Sequence, residues 1–253
     1  MKTRIANIVH SSVQLEGISS TFAQTCEIIE NGTSAGVSSE DINKIIGMKR
    51  GLQYLFEHYD EDLSWELYAE YNKIAGISSS NIPGYMRADG EVFVNIGNGS
   101  SYYPEPVSEK RFYEIVHTAI DTAYDMGEAA VTMFLNLSKA QFFRDGNKRS
   151  ATLLANHLLA HEDSGLTFEI SEEDREKVLV TLVNYYVGDL SLNDAEIDIE
   201  DRCIYNASDD LSLKHENEPA KDSINLLSDE ANSVAVALNS LRRDKSLEKK
   251  HER

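Results

Sequence analysis

One stretch limits the fold of this chain more than any other: Gln141-Phe142-Phe143-Arg144-Asp145-Gly146-Asn147-Lys148-Arg149-Ser150, set between two helix-patterned runs. Glu128 to Leu137 precedes it. Arg149 to Ala160 follows, with Ala151, Leu154, Ala155, Leu158 and Leu159 at helical spacing. Asp145-Gly146 is a turn signal. A Gly-containing turn that feeds a helix leaves backbone N–H groups without intrahelical partners, at the positive end of the helix dipole. Lys148 and Arg149 fall in that first turn, where basic residues are unfavourable unless an anion is expected. Asp145 places a hard oxygen ligand beside them, as magnesium bridged to phosphates requires. By residue type, the stretch is a cradle for phosphate and magnesium. The plainer alternative is a loop-to-helix turn with a solvated charge cluster.

The chain has 253 residues, enough for one large domain or a domain with extensions. Acidic residues outnumber basic ones 43 to 24, for a formal charge of −19. Such a surface repels nucleic acid and anionic membranes, so neither is expected as a partner, whereas a small anion can still enter a locally basic pocket. Cys26 and Cys203 are the only cysteines and lack metal-ligand spacing. They read as buried apolar residues of a reducing compartment. No run approaches the ~18 apolar residues of a membrane span. Met1-Lys2-Thr3-Arg4 is not followed by the long apolar run of a secretory signal. A cytoplasmic protein is expected, with secretion as an effector left open.

Helical patterns recur along the chain. They cover Ile5–Glu16 with Gly17 as C-cap, Ser20–Glu30, a run opened by Ser38 with Asp41 as a capping box, and Leu63–Ala75. They continue over Ser108–Tyr124, over a helix opened by Ser171 to Asp174 and running to Val187, and over Ser191–Ile204. One stretch differs. Glu91 to Ile96, bracketed by Asp89-Gly90 and Gly97-Asn98-Gly99, reads as a hairpin and is the one strand signal expected. An isolated hairpin is marginal, so it must lie over something. The fold class is therefore all-α, a helical bundle carrying one small β-hairpin. From Asn206 to Ala220 the composition is that of an acidic linker. Asp222 to Arg243 is again helix-patterned, with Ile224, Leu227, Val234, Leu238 and Leu241 on one side. Packing back on the main domain or pairing with another chain, a second copy included, are both open to it.

The central stretch resembles the signature loop of the Fic/Doc family, H-x-F-x-[DE]-G-N-x-R-x-x-R. Here it stands as Gln141-x-Phe143-x-Asp145-Gly146-Asn147-x-Arg149. The hairpin, with Tyr103-Pro104-Glu105-Pro106 after it, is similar to the family's flap, and Ser12-Val13-Gln14-Leu15-Glu16-Gly17 fits its inhibitory-helix pattern [S/T]-x-x-x-E-[G/N]. The resemblance covers roughly residues 5–205. It implies N-terminal helices with an inhibitory helix in 1–35, a Fic-type domain over 36–205 with the flap at about 82–106, and an extension over 206–253.

The resemblance further implies ATP and Mg²⁺ as cofactors and transfer of AMP to a hydroxyl of a target protein docked on the flap. Phe143 would anchor the loop, Asp145 would hold the metal, and Gly146, Asn147, Lys148 and Arg149 would meet the phosphates. Ser12 and Glu16 would inhibit, and Val92, Phe93 and Val94 would position the target. Three departures stand against this. Gln141 occupies the place of the general-base His, and a carboxamide cannot take a proton near neutral pH, which costs about 10²–10⁴ in rate. His157, His117 and His10 offer no evident substitute; His117 reads as a partly buried packing residue. Lys148 replaces the usual Gly, as in Doc-like phosphotransferases. Thr152 replaces the second Arg, the expected partner of Glu16, for which Lys148 is the remaining cation. A protein adenylyltransferase of weak, altered or lost activity is expected. A non-catalytic nucleotide- or protein-binding relative and a Doc-like phosphotransferase are the alternatives.

Overall fold

The structure, a computed structural model, describes residues 2–76, 82–97 and 99–208. These residues are helical apart from two short antiparallel strand pairs, as the all-α reading requires. The helix expected over 222–243 lies outside the described residues. At the centre, α6 (Met126–Ala140) packs lengthwise on α7 (Asn147–His161). Both are buried nearly all round, as core helices are. One side of this pair is covered by α5 (Glu109–Thr122), α8 (Arg175–Val187) and α9 (Leu192–Cys203). On the other lie α3 (Ser39–His58) and α4 (Trp65–Ala75), with α1 (Lys2–Gln14) and α2 (Phe22–Asn31) against α3. No helix among the described residues is long and apolar enough to cross a membrane.

Caps set the boundaries. Ser38, Ser64, Ser108, Asp125 and Ser191 each accept from the amide three residues on. Thr21 and Gln24 form a full capping box that the sequence reading passed over. Ser171 Oγ likewise accepts from Asp174 N–H, at 3.1 Å, but a turn follows it and α8 starts only at Arg175. α1 stops at Gln14, short of Glu16. Gly17, at φ 78°, closes the turn, and Ile18 N–H reaches back to Val13 O at 3.4 Å.

The hairpin is shorter than expected. β1 (Val94–Gly97) pairs with β2 (Ser100–Tyr102), Val94 opposite Tyr102. Val92 and Phe93 therefore precede the strand instead of lying in it. A second pair, β3 (Leu166–Phe168) with β4 (Ile204–Asn206), corrects the expectation of a single hairpin. Ile204, expected to end a helix, begins β4. Three-residue strands show no alternation to read, and their partners are far apart in sequence. α1 is tied to this second sheet by Arg4, whose guanidinium holds Glu169 at 2.8 Å, Thr167 at 3.0 Å and the Asn206 carbonyl at 2.8 Å.

Candidate nucleotide site at the start of α7

The loop from Gln141 to Gly146 is held first by its aromatic residues. Phe142 and Phe143 are buried, and Trp65 stacks on Phe143 with ring centres 5.5 Å apart. Tyr68 lies 4.9 Å from Phe143 and stacks on Phe112 at 5.2 Å. Phe143 thus anchors the loop in the core. Gly146 takes φ 72° to turn the chain into α7, and a Cβ there would sit 3.1 Å from Asn72 Nδ2 and 3.4 Å from Gly76 Cα. Asn72 is the reason for that crowding: buried on α4, it donates to Asp145 O at 2.8 Å and accepts from Gly84 N–H at 2.9 Å.

α7 begins without a side-chain cap and without an acidic residue in its first turn. The positive end of the helix dipole is therefore not offset by a carboxylate within the first turn of α7. The side chains expected there divide into two groups. Lys148 is 17% exposed and Asp145 36% exposed, and both border the site. Asp145 Oδ1 accepts from Gly146 N–H at 2.5 Å. Asn147 and Arg149 are buried, with their side chains engaged inside the protein. Asn147 Oδ1 accepts from Phe143 N–H at 2.8 Å while Nδ2 donates to Phe143 O at 2.8 Å and Gln141 Oε1 at 2.9 Å. The Arg149 guanidinium donates to Ala75 O and stands 3.7 Å from Asp145 Oδ1.

Gln141 ends α6 in the left-handed region at φ 52°. Its Nε2 donates to Ser138 O at 2.6 Å and its Oε1 accepts from Asn147. Reversing the amide would set donor against donor and acceptor against acceptor, so both ends are fixed. Residue 141 is here a strut of the loop. The histidines do not replace it. His157 bonds Tyr71 Oη at 2.7 Å and the Glu61 carbonyl at 2.8 Å, and His10 bonds Thr25 Oγ1 at 2.9 Å. His117 is exposed beside Tyr113, not partly buried.

Glu16 completes the cluster. Its carboxylate lies 3.8 Å from Lys148 Nζ and is 14% exposed. Burial pushes its pKa up, but Lys148, Arg149 and Lys44 outweigh that and hold it below the usual carboxylate value. The other inhibitory-pattern residue, Ser12, folds back on its own helix and donates to Ile8 O at 2.7 Å. Thr152 is buried. A cavity of about 470 Å³ opens between the hairpin and α8, lined among others by Tyr102, Tyr185, Tyr186, Lys139 and Arg111. Tyr186 packs 5.3 Å from Tyr102, and burial followed by the charge of Glu16 raises its pKa. The sequence reading missed this wall, as it did Asn72 and Arg87. The paired tyrosines are visible in the sequence, but nothing local brings 102 to 186.

No protein-family model and no curated protein matches the chain. Solved structures do. A Fic domain containing signaling protein from Bacteroides thetaiotaomicron superposes with TM-score 0.61 at 19% identity, over 78% of this chain and 80% of that one. Fic-1 from C. elegans gives TM-score 0.62 at 22% identity, over 78% of this chain and 59% of that one. A Fic family protein from Desulfovibrio desulfuricans gives 0.57 at 14%, over 79% and 63%. The chain thus spans about three-fifths of the last two. With the signature-like loop at the α6–α7 turn, a hairpin beside it and Glu16 against Lys148, this chain has the Fic fold.

Proposed function

We propose that this chain is an ATP- and Mg²⁺-binding protein whose phosphate site is the start of α7, held shut by Glu16, and whose AMP transfer to a protein hydroxyl is slow. The observation that carries this reading is the Glu16–Lys148 pair at an otherwise uncapped helix N-terminus. An anion is already there, supplied by the chain itself. Lys148 and the α7 amides would take phosphate oxygens once Glu16 leaves. Among the described residues no three His, Cys, Asp or Glu side chains converge on one point, so Asp145 would share the cation with phosphate oxygens. Bound Mg²⁺ would neutralise phosphate charge. The tyrosine-lined cavity offers aromatic faces for the base.

Gln141 can orient a target hydroxyl but cannot deprotonate it, which supports slow transfer. The same residue, locked by Ser138 and Asn147, favours a second reading, a binding module without turnover. A Doc-like phosphate transfer, suggested by Lys148, is a third outcome of the same test. Calorimetry with ATP and Mg²⁺ is expected to show weak binding to the native chain and binding about 5–150-fold tighter to Glu16→Gly. No binding to either would defeat the nucleotide reading. With α- and γ-labelled ATP, Gln141→His in the Glu16→Gly background is expected to raise α-label transfer by about 10²–10⁴. Binding without any label would leave the binding module, and γ-label alone the phosphotransferase.

A further inference from the structure

Arg87 stands at the foot of the hairpin's ingoing arm and is 4% exposed. Its Nε donates to Gln141 O at 2.5 Å. Nη2 donates to Glu105 O at 2.6 Å and Ala140 O at 3.3 Å, and Nη1 to Ala88 O at 3.3 Å. The backbone N–H of Arg87 reaches Phe142 O at 3.0 Å. These acceptors belong to both arms of the hairpin, to the last turn of α6 and to the signature-like loop. Buried cations are ordinarily paired with carboxylates. Here every hydrogen-bonded acceptor is a carbonyl, and two of them end α6, where the helix dipole favours a cation. Asp89 and Glu91 act on it only through space. The hairpin therefore cannot shift relative to residue 141 without breaking a buried, charge-assisted set of bonds.

We propose that Arg87 is the positioning residue that fixes the hairpin to residue 141, so that a target segment laid along the hairpin keeps its hydroxyl in register with that residue. The target clause rests on the transfer reading above; the fixing of the hairpin does not. A planar guanidinium is needed, because four carbonyl acceptors must be reached at once and a lysine ammonium on a single stem cannot span them.

The test compares Arg87→Ala and Arg87→Lys in the full chain. Hydrogen exchange is expected to speed up together at 94–102 and 142–143 in both variants, with the interiors of α4 and α7 unchanged. Acceleration in the hairpin alone, or uniformly in every helix, would overturn the proposal. In the Glu16→Gly, Gln141→His background, α-label transfer to cell-extract proteins is expected to fall about a hundredfold, as misplacement by an ångström can cost. ATP affinity should stay within about twofold, and Lys should not rescue. Transfer that survives Arg87→Ala would sink the register clause. If the parent background transfers nothing, the transfer reading fails by itself, and hydrogen exchange still decides whether Arg87 fixes the hairpin.

Discussion

His157 shows what a single side chain can report. Its Nε2 must donate to the Glu61 carbonyl, and in the neutral ring Nδ1 accepts from Tyr71 Oη. Burial comes first among the causes that lower its pKa from 6.5. A neutral buried His contributes stability that is fully present above its unfolded value and is lost as pH falls toward the depressed one. Denaturation midpoints are therefore expected to drop as pH falls below about 6.5, and His157→Gln to flatten that slope. The Glu16 carboxylate, also depressed, keeps its contribution until the solution is more acidic still, so Glu16 stays charged at neutral pH. Gly146→Ala tests the turn: a left-handed φ and a Cβ 3.1 Å from Asn72 are expected to cost about 1–2 kcal/mol in chemical denaturation.

At the level of elements, α1 is fastened at one end by Arg4 and presents Glu16 just past the other. Removing one partner of a buried ion pair leaves the second charge stranded, at about 3–5 kcal/mol. Arg4→Met is expected to destabilise by that amount, and Arg4→Met with Glu169→Leu by clearly less, in the same denaturation assay. Element positions were largely legible because the caps are written in the sequence: Ser38, Ser64 and Ser191 each precede an apolar periodic run. Ser171 does pair with Asp174, its Oγ accepting the Asp174 N–H at 3.1 Å, yet a turn intervenes and α8 starts at Arg175, a delay that no local pattern announces. The loop's identity was legible for the same local reason. What Asn147 and Arg149 do was not, because their side chains answer to Phe143, Gln141 and Ala75, contacts that exist only once α4 and α6 have packed.

For the molecule as a whole, charge dominates. With a net −19, the native chain is expected to show no DNA or RNA binding by fluorescence anisotropy at physiological salt, and a salt-dependent affinity for either would contradict the reading of its surface. One feature of the core turns the protein into its own indicator. The sequence holds a single tryptophan, and that residue, Trp65, lies flat against Phe143 at the root of the loop. Its emission spectrum is thus a private channel to the loop that enters α7, undiluted by other indoles. Any guest that lifts or settles the loop should change the brightness or colour of that one signal, in a cuvette, without a dye and without knowing the target.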